Sequence, residues 1–338
     1  MRKRGTAKIR SAVRTIIIAA AAVVVVAAIA GVAIYDDRVK PFQATVLEVD
    51  GTPIRMSYFL KRVAISRQQP VSMLQTIARE EMLKEEAPNP PYSIAVTAED
   101  IDRYARDLAR GTSATIGDAE FREWYRQQLN EYRLSDAEFR GILRTSVLIQ
   151  GMSGYLGRRV PTVADQVFVN MIAVKDVTTG AEVKRKYEAG QDFASLARQY
   201  SIDAQLKTDG GKVGWFPPGV LAEALDVEAF ALKPGQAGDP MYIDDQTAIL
   251  LMVSARAAGR QIDAKSLDTL RSRALDNWYQ AAYARHKIVF RGFHKGFDTE
   301  TDAWVQRELL KMGVQLSPGA PPAGGPTAGG PSPDAPTQ

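Results

Sequence analysis

The chain has 338 residues, of which 45% are apolar and 24% charged, an ordinary composition for a globular protein with room for more than one domain. It contains no cysteine, which excludes disulfides, thiolate zinc sites, cysteine nucleophiles and a lipid anchor on an N-terminal cysteine. The net charge of +4 comes from six basic residues among the first fourteen. The rest of the chain is close to neutral, so we expect no nucleic-acid partner.

The first predicted element is a membrane anchor at residues 15–35, preceded by a basic cytoplasmic segment at 1–14. The run Ile16–Ile34 is nineteen residues long and carries no charge. At about 1.5 Å per residue, a helix of this length spans a bilayer core. The basic flank predicts a cytoplasmic N-terminus and an extracytoplasmic body. A signal peptide cleaved near Ala28-Ile29-Ala30 is the alternative, and it also exports the body.

The segment 41–160 is predicted to form a mostly helical domain. It opens with a short strand, a turn at Asp50-Gly51 and a second extended piece. Apolar residues then recur at helical spacing. Near the end of the segment, Ser135 and Glu138 have the spacing of a capping box at the start of a helix.

The C-terminal part is predicted to contain two more helices, within residues 263–313. The first runs from Lys265 to His286 and the second from Thr301 to Met312. Residues 314–338 are rich in proline and glycine, so we expect a disordered tail. The two histidines, His286 and His294, have no companion cluster in the sequence, and we expect neither a metal site nor a cofactor.

Short motifs occur in a fixed order between the predicted arm and the C-terminal helices. In chain order they are Val167–Val174, Glu182–Tyr200 with its Gly190, Asp192, Phe193, Leu196 and Ala197, Ser201–Asp203, Gly210–Phe216, Glu228–Phe230, Leu232, Pro234-Gly235 and Pro240. Their order and spacing resemble the parvulin-type (PpiC or rotamase) peptidyl-prolyl isomerases. With its predicted anchor and helical segments, the whole chain resembles extracytoplasmic foldases of the SurA, PrsA and PpiD kind.

The resemblance implies an α+β fold. It implies a parvulin-like domain at 161–258, a small antiparallel sheet wrapped by helices. The segment 41–160 would be a chaperone arm similar to the SurA N-terminal domain, and the helices within 263–313 would return to pack on it. The glycines of Gly210–Gly214 are not followed by the serine or threonine of a phosphate loop, so we expect them to supply positive φ in a turn.

The resemblance also implies a site. Leu221 and Leu225 match the family positions that grip the proline ring, and Phe230 would close this slot from below. Asp203 matches the catalytic position beside the twisting amide. Met171 and, by a gapless count from Pro240, Ala248 occupy the two family histidine positions and are included in the predicted pocket. The residue reading alone leaves Asp203 as a loop cap, and the leucines as core, as alternatives.

The function implied is peptidyl-prolyl cis-trans isomerisation of newly exported, unfolded, proline-containing polypeptides at the bacterial cell membrane. Loss of both histidines removes a hydrogen-bond network behind Asp203 and should lower the rate by roughly one to two orders of magnitude. Lys212 replaces a family aspartate in the glycine loop, which weakens the match further. The alternatives are a catalytically inactive parvulin-fold holdase and a binding scaffold associated with secretion.

Overall fold

The computed structural model describes Tyr35 and residues 38–316. The helices are α1 (Lys40–Gln43), α2 (Met56–Ser66), α3 (Pro70–Glu86), α4 (Ala98–Arg110), α5 (Asp118–Glu131), α6 (Asp136–Arg159), α7 (Val177–Glu188), α8 (Phe193–Tyr200), α9 (Ala204–Thr208), α10 (Glu223–Ala231), α11 (Ala264–Tyr283) and α12 (Thr299–Lys311). The strands are β1 (Thr45–Val49), β2 (Thr52–Arg55), β3 (Val163–Val174), β4 (Lys212–Phe216), β5 (Gln236–Ala237), β6 (Met241–Asp244), β7 (Thr247–Gln261) and β8 (Ile288–Phe290).

The predicted basic segment, the apolar run Ile16–Ile34 and residues 317–338 of the predicted tail lie outside the described residues. Within the described part of the chain, no helix combines the length and apolar character needed to cross a bilayer.

The chain divides into two compact units. The first comprises Met1–Gly151 with Tyr279–Gln338, and the second is Met152–Trp278. Both divisions fall inside a helix, α6 and α11. The predicted boundaries at 160 and 263 therefore differ from the structural ones, because the end of α6 and most of α11 belong to the second unit.

The first unit contains a small antiparallel sheet in the order β2-β1-β8. The predicted turn between β1 and β2 is present, and both Asp50 (φ 48°) and Gly51 (φ 86°) have positive φ. This conformation is typical of a two-residue hairpin. The predicted capping box at the start of α6 is also confirmed: Ser135 Oγ accepts from Glu138 N at 3.2 Å, and Glu138 Oε2 accepts from Ser135 N at 2.7 Å.

A charged pair lies inside the helical core of the first unit. Arg62 on α2 donates to both carboxylate oxygens of Glu80 on α3, at 2.6 and 2.7 Å, and both residues are buried. Burial lowers the pKa of Arg62, but the hydrogen bonds and charge of Glu80 outweigh it and raise the pKa overall. The helical apolar stripes predicted a core here and gave no sign of the ion pair.

The second unit has an antiparallel sheet in the order β4-β3-β7-β5, with β6 also paired to β7. This confirms the predicted mixed fold with a small sheet wrapped by helices. Successive side chains of a strand point to opposite faces, so β3 and β7 contribute to two separate apolar clusters.

We name the two faces by how they are covered. The closed face carries Ile172, Val174, Ala248, Leu250 and Met252, and helices α7 and α8 cover it through Val183, Phe193, Leu196 and Ala197. The open face carries Val167, Val169, Met171, Ala173, Ile249, Leu251 and Val253, and helix α10 packs on it through Leu225 and Ala229. Only the open face is bordered by the loops in which the sequence predicts a site.

Candidate active site

Four of the five predicted pocket residues meet on the open face. Met171 and Leu225 are buried, each 9% exposed, whereas Leu221 and Phe230 are partly exposed and pack against the same cluster. The arrangement is an apolar floor with an accessible apolar rim. Phe230 lies in the rim, whereas the sequence predicted that it would close the slot from below.

Three further rim residues were not assigned to the site from sequence. Leu206 on α9, Phe216 at the end of β4 and Met241 at the start of β6 are partly buried against the open-face cluster. Phe216 could have been found, because strand alternation puts it on the face opposite Trp215. Met241 had no comparable signal, since its position depends on the pairing of β6 with β7.

Ala248 does not belong to this pocket. It is fully buried on the closed face, where it pairs across the sheet with Val174. The error is one residue, and a shift of one residue moves a side chain to the other face of a sheet. The β6–β7 hairpin has a register irregularity between Tyr242 and Asp244, so a gapless count across it gives the wrong face. Ile249 is the neighbouring residue on the same face as Met171.

Asp203 stands at the exposed start of α9. Its carboxylate accepts a hydrogen bond from Leu206 N at 2.7 Å and so caps the helix. The same short helix carries Leu206 into the rim. The carboxylate therefore has a structural task at the border of the apolar cluster, and its catalytic role stays a prediction.

The glycine loop before β4 fixes the backbone beside Met171. Gly211 has a φ of +78° and its carbonyl accepts from Met171 N at 2.7 Å. A Cβ on Gly211 would lie 2.8 Å from the Met171 carbonyl oxygen and 3.2 Å from the ring of Phe193. Only glycine fits both the conformation and the space, which confirms the conformational role predicted for this loop.

The loop that carries Leu221 is held from two directions. Gly219 N donates to both oxygens of Asp226 on α10, at 3.0 Å each. Arg273 on α11 approaches from the other direction: its Nη1 lies 2.7 Å from the carbonyl oxygen of Gly219 and 3.0 Å from those of Val220 and Leu221. A guanidinium that gathers successive carbonyls restrains the backbone of the loop, so the rim residue Leu221 is held in place.

The side chains of the open-face cluster are all apolar. They can bind an apolar ring and exclude water from it, but they offer no group that could exchange a proton or hold a metal.

One potential metal-ligand group occurs among the described residues, in the first unit. Ligand atoms of Asp50, Glu85 and His286 lie within 4.8 Å of one another. Both ring nitrogens of His286 are already engaged, Nδ1 with Asp50 Oδ2 at 2.6 Å and Nε2 with Glu86 Oε1 at 2.8 Å. These contacts make the group an ion-pair cluster. The expectation that His286 has no companion cluster was wrong, because its partners are more than 190 positions away in sequence.

Electrostatics in this cluster favour the charged forms. Burial lowers the pKa of His286, but hydrogen bonds to Asp50 and Glu86 outweigh it and raise the pKa overall. The backbone N–H of Lys287, followed by His286, lowers the pKa of Asp50. Burial raises the pKa of Glu86, and the hydrogen bonds from Arg285 and His286 more than compensate and lower it.

Comparison with known proteins finds one family match and several relatives in the second unit. Residues 177–253 match the PPIC-type PPIASE domain, or rotamase. The Foldase protein PrsA of Geobacillus sp. is 45% identical over 73 residues, 22% of this chain and 26% of that protein. The Foldase protein PrsA 4 of Bacillus cereus is 41% identical over 73 residues, again 22% and 26% of the two chains. The chain thus spans about a quarter of the curated relatives that it matches.

A crystal structure of Peptidylprolyl Isomerase (PrsA) from Bacillus anthracis aligns with 72% of this chain and 99% of that chain, at 18% identity and a TM-score of 0.36. A superposition this loose assigns no residue correspondences. The family match and the local identity to the foldases rest on the sequence that builds β4, β7 and helices α7 to α10. Residues 177–253 form a parvulin domain, a member of the PPIC-type peptidyl-prolyl isomerase family.

Proposed function

We propose that this chain is an extracytoplasmic folding factor that catalyses peptidyl-prolyl cis-trans isomerisation in unfolded polypeptides. The observation that carries the proposal is the apolar cluster on the open face of the parvulin domain, with Leu221 and Phe230 partly exposed above the buried Met171 and Leu225. The printed names of the relatives, which are foldases, support the same class of substrate.

The chemistry asks little of the site beyond shape and dryness. Rotation about an X–Pro bond has a barrier of about 18–20 kcal/mol because the planar amide is stabilised by resonance. The twisted transition state has lost this conjugation and is less polar at the carbonyl. A slot that holds the proline ring against Leu221 and Leu225 and excludes water favours the twisted form over the planar one. Asp203 would border the carbonyl of the twisting bond.

The cellular setting is also a proposal. The apolar run Ile16–Ile34 and its basic flank support a single-pass anchor in the bacterial cell membrane, with the N-terminus in the cytoplasm. The helices of 41–160 would act as a chaperone arm, with the segment 263–313 completing it. Newly exported polypeptides rich in exposed apolar residues and proline are the proposed partners, and no cofactor is required.

The isomerase is tested with a matched pair of variants on the full chain. Leu221→Asp puts a charge in the rim, and we expect about a tenfold loss in the catalysed exchange rate of an X–Pro peptide. A leucine contact is worth roughly 1.5 kcal/mol, which corresponds to that factor. Val227→Asp is the control, because Val227 lies on α10 but is 68% exposed and outside the cluster. NMR exchange spectroscopy measures both rates without a protease.

The outcomes separate cleanly. A rate for the unaltered chain equal to that in buffer rejects catalysis. Equal losses in Leu221→Asp and Val227→Asp reject the open face as the site. Unchanged amide dispersion in the NMR spectrum of each variant shows that the domain is still folded.

A binding-only chaperone is the second candidate, and one observation favours it. Met171 and Ile249 are the side chains that share the open face at the family's histidine region, and Asp203 is engaged as a helix cap. The slot would then bind proline-containing segments without a polar group to align the amide. In that case the isomerisation rate matches buffer, yet the unaltered chain suppresses aggregation of an unfolded protein and Leu221→Asp does so less well.

A further inference from the structure

A basic and aromatic pocket lies in the first unit, away from the parvulin domain in sequence. Its volume is about 540 Å³, and it is lined by Arg38, Phe42, Trp304, Arg307, Glu308 and Lys311. No part of the site described above uses these residues. The pocket combines a short segment directly after the predicted membrane anchor with one face of the last helix, α12.

The aromatic wall of the pocket is fixed by ring packing. Trp304 packs edge-on against Phe42 with ring centroids 5.1 Å apart, and against Phe293 at 5.2 Å. Trp304, Arg307 or Glu308, and Lys311 follow at the spacing that puts side chains on one face of a helix. The segment 38–42 forms the opposite wall and contributes Arg38 and Phe42.

The charge of the pocket is positive and only partly compensated. Lys311 Nζ lies 2.6 Å from Glu308 Oε1, so these two charges offset each other. Within the described part of the chain, Arg38 and Arg307 have no ion-pair partner, and both are exposed. Two free guanidinium groups beside aromatic rings are well suited to a phosphate group, which arginine can bind through paired N–H donors.

Chain connectivity limits where this pocket can lie. Arg38 is four residues after Ile34, the last residue of the proposed membrane anchor. Four residues reach at most about 14 Å even when fully extended, while the headgroup layer of each leaflet is roughly 5–8 Å thick. If the anchor spans the membrane, Arg38 cannot move far from the lipid phosphates. Leu310 on α12 is 69% exposed and Met312 37% exposed, and both follow Arg307 at the same end of the helix.

We propose that this pocket binds the headgroup phosphate of an anionic phospholipid in the leaflet from which the body emerges. Arg38 and Arg307 contact the phosphate, Lys311 adds to the local positive potential, and Leu310 lies against the acyl boundary. Attraction of basic side chains to an anionic surface acts within about one Debye length. The proposal rests on the membrane anchor of the proposed function and is independent of isomerase activity.

The absence of cysteine from the chain allows a single-label experiment on the full protein. Leu310→Cys carries a nitroxide, and the chain is reconstituted into vesicles of phosphatidylcholine alone or mixed with phosphatidylglycerol. We expect the collision rate of the label with a water-soluble paramagnetic reagent to fall several-fold in the mixed vesicles only. Arg38→Gln with Arg307→Gln should abolish this fall. Arg122→Gln with Arg144→Gln removes the same charge from exposed positions of α5 and α6 and should preserve it.

Each alternative has its own signature. Equal label exposure in both vesicles overturns the proposal, and so does an equal effect of the two double variants, which indicates general charge attraction. Protection of the label that millimolar inorganic phosphate removes would show a free-anion site and also overturn it.

Flotation of the same samples tests the anchor separately. Anchoring makes the chain float with neutral vesicles, whether or not the pocket is intact. Flotation with anionic vesicles only, lost in Arg38→Gln with Arg307→Gln, supports the pocket while rejecting the anchor. Flotation with neither kind of vesicle rejects both.

Discussion

The two units are held together by different kinds of contact. In the first unit, ion pairs join segments far apart in the chain: Arg291 donates to Glu48 at 2.6 Å, and Arg285 donates to both oxygens of Glu86 at 2.9 Å. In the second unit, the stretch 152–278 folds around an apolar sheet, and Arg273 and Arg256 donate to backbone carbonyls. The contrast predicts that charge substitutions and pH act mainly on the first unit.

The strongest test of this contrast is the buried pair in the first unit. Glu80→Ala leaves the buried guanidinium of Arg62 without its partner, and we expect a loss of about 3–5 kcal/mol in the free energy of unfolding. Arg62→Met combined with Glu80→Leu should recover most of it, because no buried charge remains. Hydrogen exchange at the amides of α2 and α3 measures the change within this unit.

An exposed pair provides the control for this prediction. Glu123 and Arg126 on α5 form an ion pair with side chains 49% and 68% exposed. Glu123→Ala should change the free energy of unfolding by less than about 1 kcal/mol. If Glu80→Ala costs no more than Glu123→Ala, ion pairing is not what distinguishes the first unit.

The parvulin domain shows how far the sequence leads and where it stops. The position of Leu225 in the cluster and the positive φ of Gly211 follow from local patterns, namely motif spacing and the crowding of a glycine loop. The face of Ala248 does not, because it depends on one irregular residue pair in a hairpin. Strand parity gives a residue's face only when the register is known.

The first unit shows the same limit at longer range. The Asp50-Gly51 turn was predictable because a two-residue turn with positive φ has a strong local signature. Strand β8 was missed, since three residues at 288–290 carry too short a pattern, and their partner β1 lies about 240 positions earlier. The cluster around His286 depends on that pairing, which brings Lys287 and His286 beside Asp50.

In the second unit, the predicted effect is local and concerns the loop held by Arg273. Arg273→Gln removes a charged donor from three carbonyls, and a charge-assisted hydrogen bond is worth about 1.5–3 kcal/mol. We expect amide exchange in the loop 217–221 to accelerate at least about tenfold, while the closed face is unaffected. Arg273→Lys should restore part of the protection, because lysine keeps the charge but not the planar donor group.

Arg271 is the matched control on the same helix. It is exposed, and its nearest acid, Asp268, is 3.8 Å away. Arg271→Gln should leave exchange in the loop unchanged. Acceleration that spreads over β3 and β7 in Arg273→Gln would mean that this arginine supports the whole domain and has no particular role in positioning Leu221.

The smallest expected effect is the pH response of the His286 cluster. The pKa of His286 is raised above its ordinary value of 6.5, so its contribution is complete below pH 6.5 and is lost as pH rises through the raised pKa. The pKa values of Asp50 and Glu86 are lowered from 3.8 and 4.5, so their contributions are present above those values and are lost on acidification. The first unit should therefore be most stable between about pH 4.5 and 6.5.

His286→Asn should remove the loss of stability on the alkaline side and cost about 1–2 kcal/mol at pH 6. His294→Asn is the control, because His294 is exposed and contacts only Glu300, at 3.0 Å, among the ion pairs described. Hydrogen exchange at β1 and β8, followed from pH 5 to 8, reads the effect where the cluster joins the two strands. A pH dependence that survives in His286→Asn would assign the titration to another group and would leave the strand pairing, with the ion pair of Arg285 and Glu86, as what holds the C-terminal segment to the first unit.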